Sequence, residues 1–300
     1  MTNQSNKPSF SLTNDEPTLK GGKSIVSPSD YKSENLRISR PVKFTTPETF
    51  YRIYVKYLHE VNHKEESLMI CSDSGEPMDL WSWGASLPKK DNQPKKNDDN
   101  QNVDDLNDND VKKDYKDNKV NMNLFFLSDS KKSEADPSLI QSQKKMEDLF
   151  HRISTDIYNF MVENKAEFLK CAPIDAIKLL KPDAKEYIFT HFITLSEDKD
   201  KGNKLNVKLL RGGEKKEFKF FTRFYTKEDE PQNPLDYMYP SYCTVDPVLW
   251  FDNIYVSTKT FIPQLKLMEA TVNKLESNTS NTRLSKNPPV QHKKPSVDEL

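Results

Sequence analysis

Between residues 203 and 272 apolar and polar positions alternate with period two, and the alternation lays out a sheet. Leu205, Val207 and Leu209 interleave with Lys204, Asn206 and Lys208, and a Gly-Gly pair separates this run from Lys215–Tyr225. Two adjacent residues able to take positive φ between alternating runs predict a type I′ hairpin centred on Gly212 and Gly213. The register follows: Arg211 faces Glu214, Val207 faces Phe218 and Leu205 faces Phe220. One side then collects Leu205, Val207, Leu209, Phe218 and Phe220, and the other Lys204, Asn206, Lys208, Lys219, Phe221, Arg223 and Tyr225. Two long apolar runs, Cys243–Val256 and Phe261–Val272, read as further strands.

Upstream the same period returns. Val42 and Phe44 lead into Thr49–Leu58, where Tyr51, Ile53, Val55 and Tyr57 alternate with Arg52, Tyr54 and Lys56; Leu68–Cys71, Leu80–Leu87 and Met122–Leu127 are three more strands. From Leu139 to Phe168 the period lengthens to 3.6. Leu139, Ile140, Gln143, Met146, Leu149, Phe150, Ile153, Ile157, Phe160 and Met161 mark one face of a long core-packing helix, capped by Asp136 or Ser138 with Pro137 in the first turn. A short helix over Ile174–Leu180 and a strand over Tyr187–Leu195 complete the order. Residues 1–35, the Lys/Asp/Asn-rich insertion 88–119 and the tail 276–300 lack a sustained period and read as disordered segments around one domain at 36–275.

Composition narrows the function. Apolar residues make up 34% of the chain and charged residues 30%, so a large share lies outside any core. Seven glycines and no GxGxxG or GxxxxGKS pattern argue against nucleotide-dependent chemistry. Cys71, Cys171 and Cys243 are widely spaced and odd in number, which predicts reduced thiols rather than a disulfide frame. With no apolar leader and no run of about 18 apolar residues, the expectation is an intracellular protein of cytoplasm or nucleus that does not enter a membrane.

The basic side of the predicted hairpin is the leading functional feature. Cations hold phosphates and rings stack on any base, so a basic sheet face with interleaved aromatics suits single-stranded nucleic acid. Lys204, Lys208, Lys219, Phe221, Arg223 and Tyr225 form this candidate site, and Arg52, Tyr54 and Lys56 a second strip. The net charge of −1 requires that the basic surface be local. Trp81 and Trp83 share one side of their strand, as stacking platforms or as buried anchors. His59-Glu-Val-Asn-His63 matches the letters of a zinc-protease motif, but that chemistry needs both imidazoles on one face of a long helix, and the residues before it alternate with period two. No enzyme, metal or cofactor is expected.

The block Cys243–Val272, with Ile254-Tyr-Val256, Lys259 and Leu265-Lys-Leu-Met-Glu-Ala-Thr-Val272, resembles the C-terminal signature of the single-stranded-DNA-binding, OB-like proteins of large cytoplasmic DNA viruses. Ser82-Trp-Gly84, and Thr222-Arg-Phe-Tyr225 with Asn233-Pro-Leu235, resemble that family's early and central segments; Ser257 stands where a glycine is expected. The resemblance implies an α+β fold, an antiparallel OB-like barrel with one long packed helix. It implies sequence-nonspecific binding of single-stranded DNA, with RNA as the other polynucleotide, in replication or repair beside replication proteins at host cytoplasmic sites. The alternative is a non-enzymatic scaffold protein that recruits partners through its helix or its arms.

Overall fold

The structure is a computed structural model that describes residues 22–45, 49–86, 120–166, 184–198, 200–212, 219–257 and 261–276. Its strands are, in chain order, β1 (Lys23–Val26), β2 (Leu36–Ile38), β3 (Val42–Phe44), β4 (Phe50–Leu58), β5 (Glu65–Ile70), β6 (Leu80–Ser82), β7 (Ala85–Ser86) and β8 (Asn121–Phe125). Three helices follow: α1 (Asp129–Lys132), α2 (Pro137–Glu163) and α3 (Ala184–Phe192). The second half holds β9 (Ile193–Thr194), β10 (Lys204–Leu209), β11 (Arg211–Gly212), β12 (Lys219–Phe220), β13 (Arg223–Tyr225), β14 (Pro231–Gln232), β15 (Tyr242–Val256) and β16 (Phe261–Glu276).

Five of these strands close on themselves. β6 pairs with β8, β8 with β10, β10 with β16, β16 with β15, and β15 returns to β6. Every pairing in the ring is antiparallel except β10 with β16. Numbered within the ring by chain order, the strands run 1-2-3-5-4, a five-stranded barrel of OB type. Breaks in register at Thr244/Val245, Val248/Leu249 and Phe251/Asn253 let the long β15–β16 hairpin curl, because each bulge adds local twist. Farther along, β15 carries β4 and β5, while β16 carries β13, which in turn pairs with β14, so extra strands extend the sheet on both sides.

The inward positions of the barrel are those the alternation marks. Met122 and Leu124 of β8, Leu205 and Val207 of β10, Val245 and Leu249 of β15 and Leu267 of β16 are buried in one core. α2 supplies Met146, Leu149, Phe150, Ile153 and Ile157 to the same core. Its N-terminus is capped as expected: the Asp136 carboxylate accepts from Ser138 N–H at 2.8 Å. Buried Gln143 fixes the helix to the barrel end, accepting from Leu127 N–H at 2.7 Å and donating to the Met78 carbonyl at 2.8 Å. Gly202 brings the chain into β10 so close to β8 that an added Cβ would sit 1.8 Å from the Phe126 carbonyl oxygen.

Three expectations are corrected. Tyr187–Leu195 is not a strand: Ala184, Ile188, Phe189 and Phe192 lie at helical spacing and bury one face of α3, leaving only β9 extended. The arm expected to reach residue 35 contains β1, paired in parallel with β5, and the buried side chains of Val26 and Tyr31. The Gly-Gly hairpin has another register, with Arg211 opposite Phe220 and Gly212 opposite Lys219. β10 cannot pair with the second arm, because β8 and β16 occupy both of its edges to close the barrel. The expected helix at 174–180, the insertion 88–119 and the tail from 277 lie outside the described residues.

Candidate nucleic-acid interface

The barrel closure divides the nine expected site residues among three places. Lys204 and Lys208 stand on the outer face of β10, where alternation buries Leu205, Val207 and Leu209 and leaves Asn206 exposed. Arg223 and Tyr225 lie on β13, beyond β16, which separates them from β10, while the Phe221 amide donates to the Leu210 carbonyl at 2.8 Å just past the end of β10. There Arg223 pairs in register with Glu269, its Nη1 3.9 Å from the carboxylate, and both aromatic side chains are half-buried. The Lys219 side chain falls outside the described residues.

The third place is β4. Arg52 lies over Phe44 and Phe50 at 5.0 and 5.6 Å, and those two rings stack on each other at 5.0 Å. The guanidinium thus covers the ring faces a base would need. Lys56 donates to the Ser67 hydroxyl at 3.3 Å, and Tyr54 is half-buried between them.

Around β10 the outer surface is different. Register places Phe125 opposite Lys204, Asn123 opposite Asn206 and Asn121 opposite Lys208. Trp81 of β6 is paired with Phe125, and the two rings stack with centroids 4.2 Å apart and planes 14° from parallel. On its other side Trp81 meets Tyr242 of β15 at 6.1 Å and 25°. The result is a row of stacked rings, Tyr242, Trp81 and Phe125, that runs around the barrel and ends at Lys204. Trp83, 37% exposed, packs edge-on against Trp81 and Tyr242, and the Lys131 ammonium lies 5.6 Å over Trp81. Neither tryptophan is a buried anchor: Trp81 is half-buried, Trp83 is exposed, and the two pack against each other on the outside of the barrel.

Gly84 positions the end of this row. Its φ of +87° and the 2.8 Å approach of the Met238 and Tyr239 backbone to any added Cβ exclude a side chain there. At the opposite end of the face, Lys208 pairs with Lys266 across β16, and Lys208 donates to Gln264. Lys266 lies 4.1 Å over the Trp250 ring and 2.7 Å from the Asp252 carboxylate. Among the described residues Lys204 has no acidic partner.

Sequence reasoning missed Phe125, Tyr242, Trp250, Asn121 and Asn123. Alternation in Met122–Leu127 does mark Asn121, Asn123 and Phe125 as outward, but only the pairing of β8 with β10 brings them beside the lysines.

The zinc-motif letters form a hairpin turn between β4 and β5. His63 has a φ of 52°, His59 Nδ1 faces the amides of Val61 and Asn62, and Glu60 is ion-paired with Lys32 at 2.6 Å. Among the described residues no group of three or more His, Cys, Asp or Glu side chains could hold a metal, and no helix is long and apolar enough to cross a membrane.

Fold and surface together define the class: an α+β protein built on an OB-like five-stranded barrel, with an outer surface on which rings of its first, second and fourth strands adjoin lysines of its third. No known protein family matches the chain, and no curated protein matches it.

Proposed function

We propose that this protein binds single-stranded DNA, without strong sequence preference, on the outer face of β8 and β10. The observation that carries the reading is the row Tyr242, Trp81, Phe125, whose last ring adjoins Lys204 across a paired register position. In OB barrels the second and third strands are the face that takes oligonucleotides. A base stacked on the open side of Phe125 extends the row over β10, and Lys204 and Lys208 lie where its phosphates pass. Each stacked base contributes about 1–3 kcal/mol and depends little on base identity. The likeness of Cys243–Val272 to the viral single-strand-binding family agrees with this assignment, and with it a place in DNA replication or repair.

Anisotropy of a labelled oligo-dT across salt concentrations tests the proposal. Binding tighter than micromolar at roughly 50 mM salt is expected, where the phosphate contribution is large. Micromolar or weaker affinity under those conditions defeats it.

A further inference from the structure

Resting on that reading, we infer that the site continues past β8 to the turn between β6 and β7, where Trp83 stacks a second base and Lys131 holds the phosphate backbone between the two. Not every ring of the row can take a base. Trp81 has a ring on each side, Phe125 at 4.2 Å and Tyr242 at 6.1 Å, so bases add only where the row ends or turns. The side of Phe125 toward Lys204 is one such place. Trp83 is the other: it stands at 88° to Trp81 and 69° to Tyr242, so it leaves the stack instead of continuing it, and 37% of its surface is open. Gly84 makes this corner, and the Tyr239 N–H donates to the Ala85 carbonyl at 2.8 Å, which sets a second exposed aromatic residue at the same turn. Exposed aromatic residues that adjoin one another mark a binding surface.

The cation is an independent observation. Lys131 of α1 holds its ammonium 5.6 Å over Trp81, the ring that lies between Phe125 and Trp83. Its neighbour Lys132 takes the Asp129 carboxylate at 2.9 Å, and among the described residues no carboxylate pairs with Lys131. A ring holds a surface cation weakly, whereas a phosphate oxygen offers it a full opposite charge. The centroids of Phe125 and Trp83 lie 4.2 and 5.7 Å from that of Trp81. At about 3.4 Å of rise per stacked nucleotide, bases on these two rings are only a few nucleotides apart in one strand, and the backbone joining them passes Lys131.

Photocrosslinking of an iodouracil-substituted oligo-dT of about twelve nucleotides, read by peptide mass spectrometry, should attach the wild-type protein at both Phe125 and Trp83. Because it is read on the wild type, this result is independent of any disturbance that a Trp83 substitution causes among the rings. In anisotropy Trp83→Ala should weaken oligo-dT about tenfold, the loss of one stacked base, while Trp83→Phe keeps most of the affinity. Lys131→Ala should make the log–log salt slope shallower by about 0.7, and Lys131→Arg should restore it. Crosslinks at Phe125 without Trp83, or wild-type affinity and slope in Trp83→Ala and Lys131→Ala, would overturn the inference while single-strand binding stands. Failure of the wild type to bind oligo-dT would remove the reading beneath it as well.

Discussion

At Cys243 the barrel interior dictates the chemistry of one atom. The thiol is fully buried on β15, and burial pushes its pKa up to about 12, so at neutral pH it is both protonated and shielded. Cys71 sits half-buried just beyond β5; burial again raises its pKa, with the charges of Asp30 and Asp73 adding to the effect. Alkylation of the native protein followed by peptide mass spectrometry should modify Cys71 first and reach Cys243 only when denaturant is added. Equal labelling of both in the native state would contradict the buried placement. Free thiols rather than a disulfide frame were readable from spacing, since no partner cysteine lies near Cys71 or Cys243 in sequence. Phe125 was not: its outward position follows from alternation, but its neighbours Trp81 and Lys204 are separated from it by 44 and 79 residues.

Among the elements, α2 is held by more than its apolar stripe. Lys145 reaches Asp73 at 3.0 Å, and Asp73 also accepts from the Ser29 amide and hydroxyl at 2.9 and 2.7 Å. The cluster joins the helix to the chain after β5 and to the loop after β1. Burial alone would raise the Asp73 carboxyl, but these hydrogen bonds outweigh it and hold the pKa well below the usual carboxylate range. A depressed folded-state pKa gives stability that is complete above the unfolded value of about 3.9 and is lost as pH falls below it. Denaturant unfolding should therefore find Asp73→Asn less stable than wild type by about 1.5–3 kcal/mol near neutral pH, with the gap beginning to shrink below pH ~3.9 and continuing to shrink as the pH is lowered further. A gap that is constant with pH would show that the carboxylate charge is not what matters.

The helix itself was legible because its stripe runs for more than six turns, and β4 and β10 because strict alternation admits one reading. The 184–192 segment was misread for lack of length: nine residues of mixed aromatic and apolar character satisfy either period, and packing decided. The hairpin register was misread for a different reason. Local turn chemistry favoured Gly212-Gly213, whereas closing the ring required β10 to lie between β8 and β16, partners about 80 and 60 residues away.

For the whole molecule, closure of the ring converts a polar hairpin into a surface assembled from several distant strands. It also changes the expected electrostatics. Arg223 has the Glu269 carboxylate beside it and lies across β16 from β10, so fewer cations of the sequence strip stand together on one face. At about −0.7 per phosphate neutralised on a single strand, three contacts or fewer give a log–log salt slope no steeper than about −2. The account thus rests on rings more than on charge. The most direct test is oligo-dT affinity for Phe125→Ala beside the Phe221→Ala/Arg223→Ala double variant, each checked for an unchanged fold by circular dichroism. Phe125→Ala should weaken binding about tenfold or more, the loss expected of one stacked base, while the double variant binds as wild type does. Unchanged affinity in Phe125→Ala, or loss confined to the double variant, would contradict the assignment of the β8–β10 face.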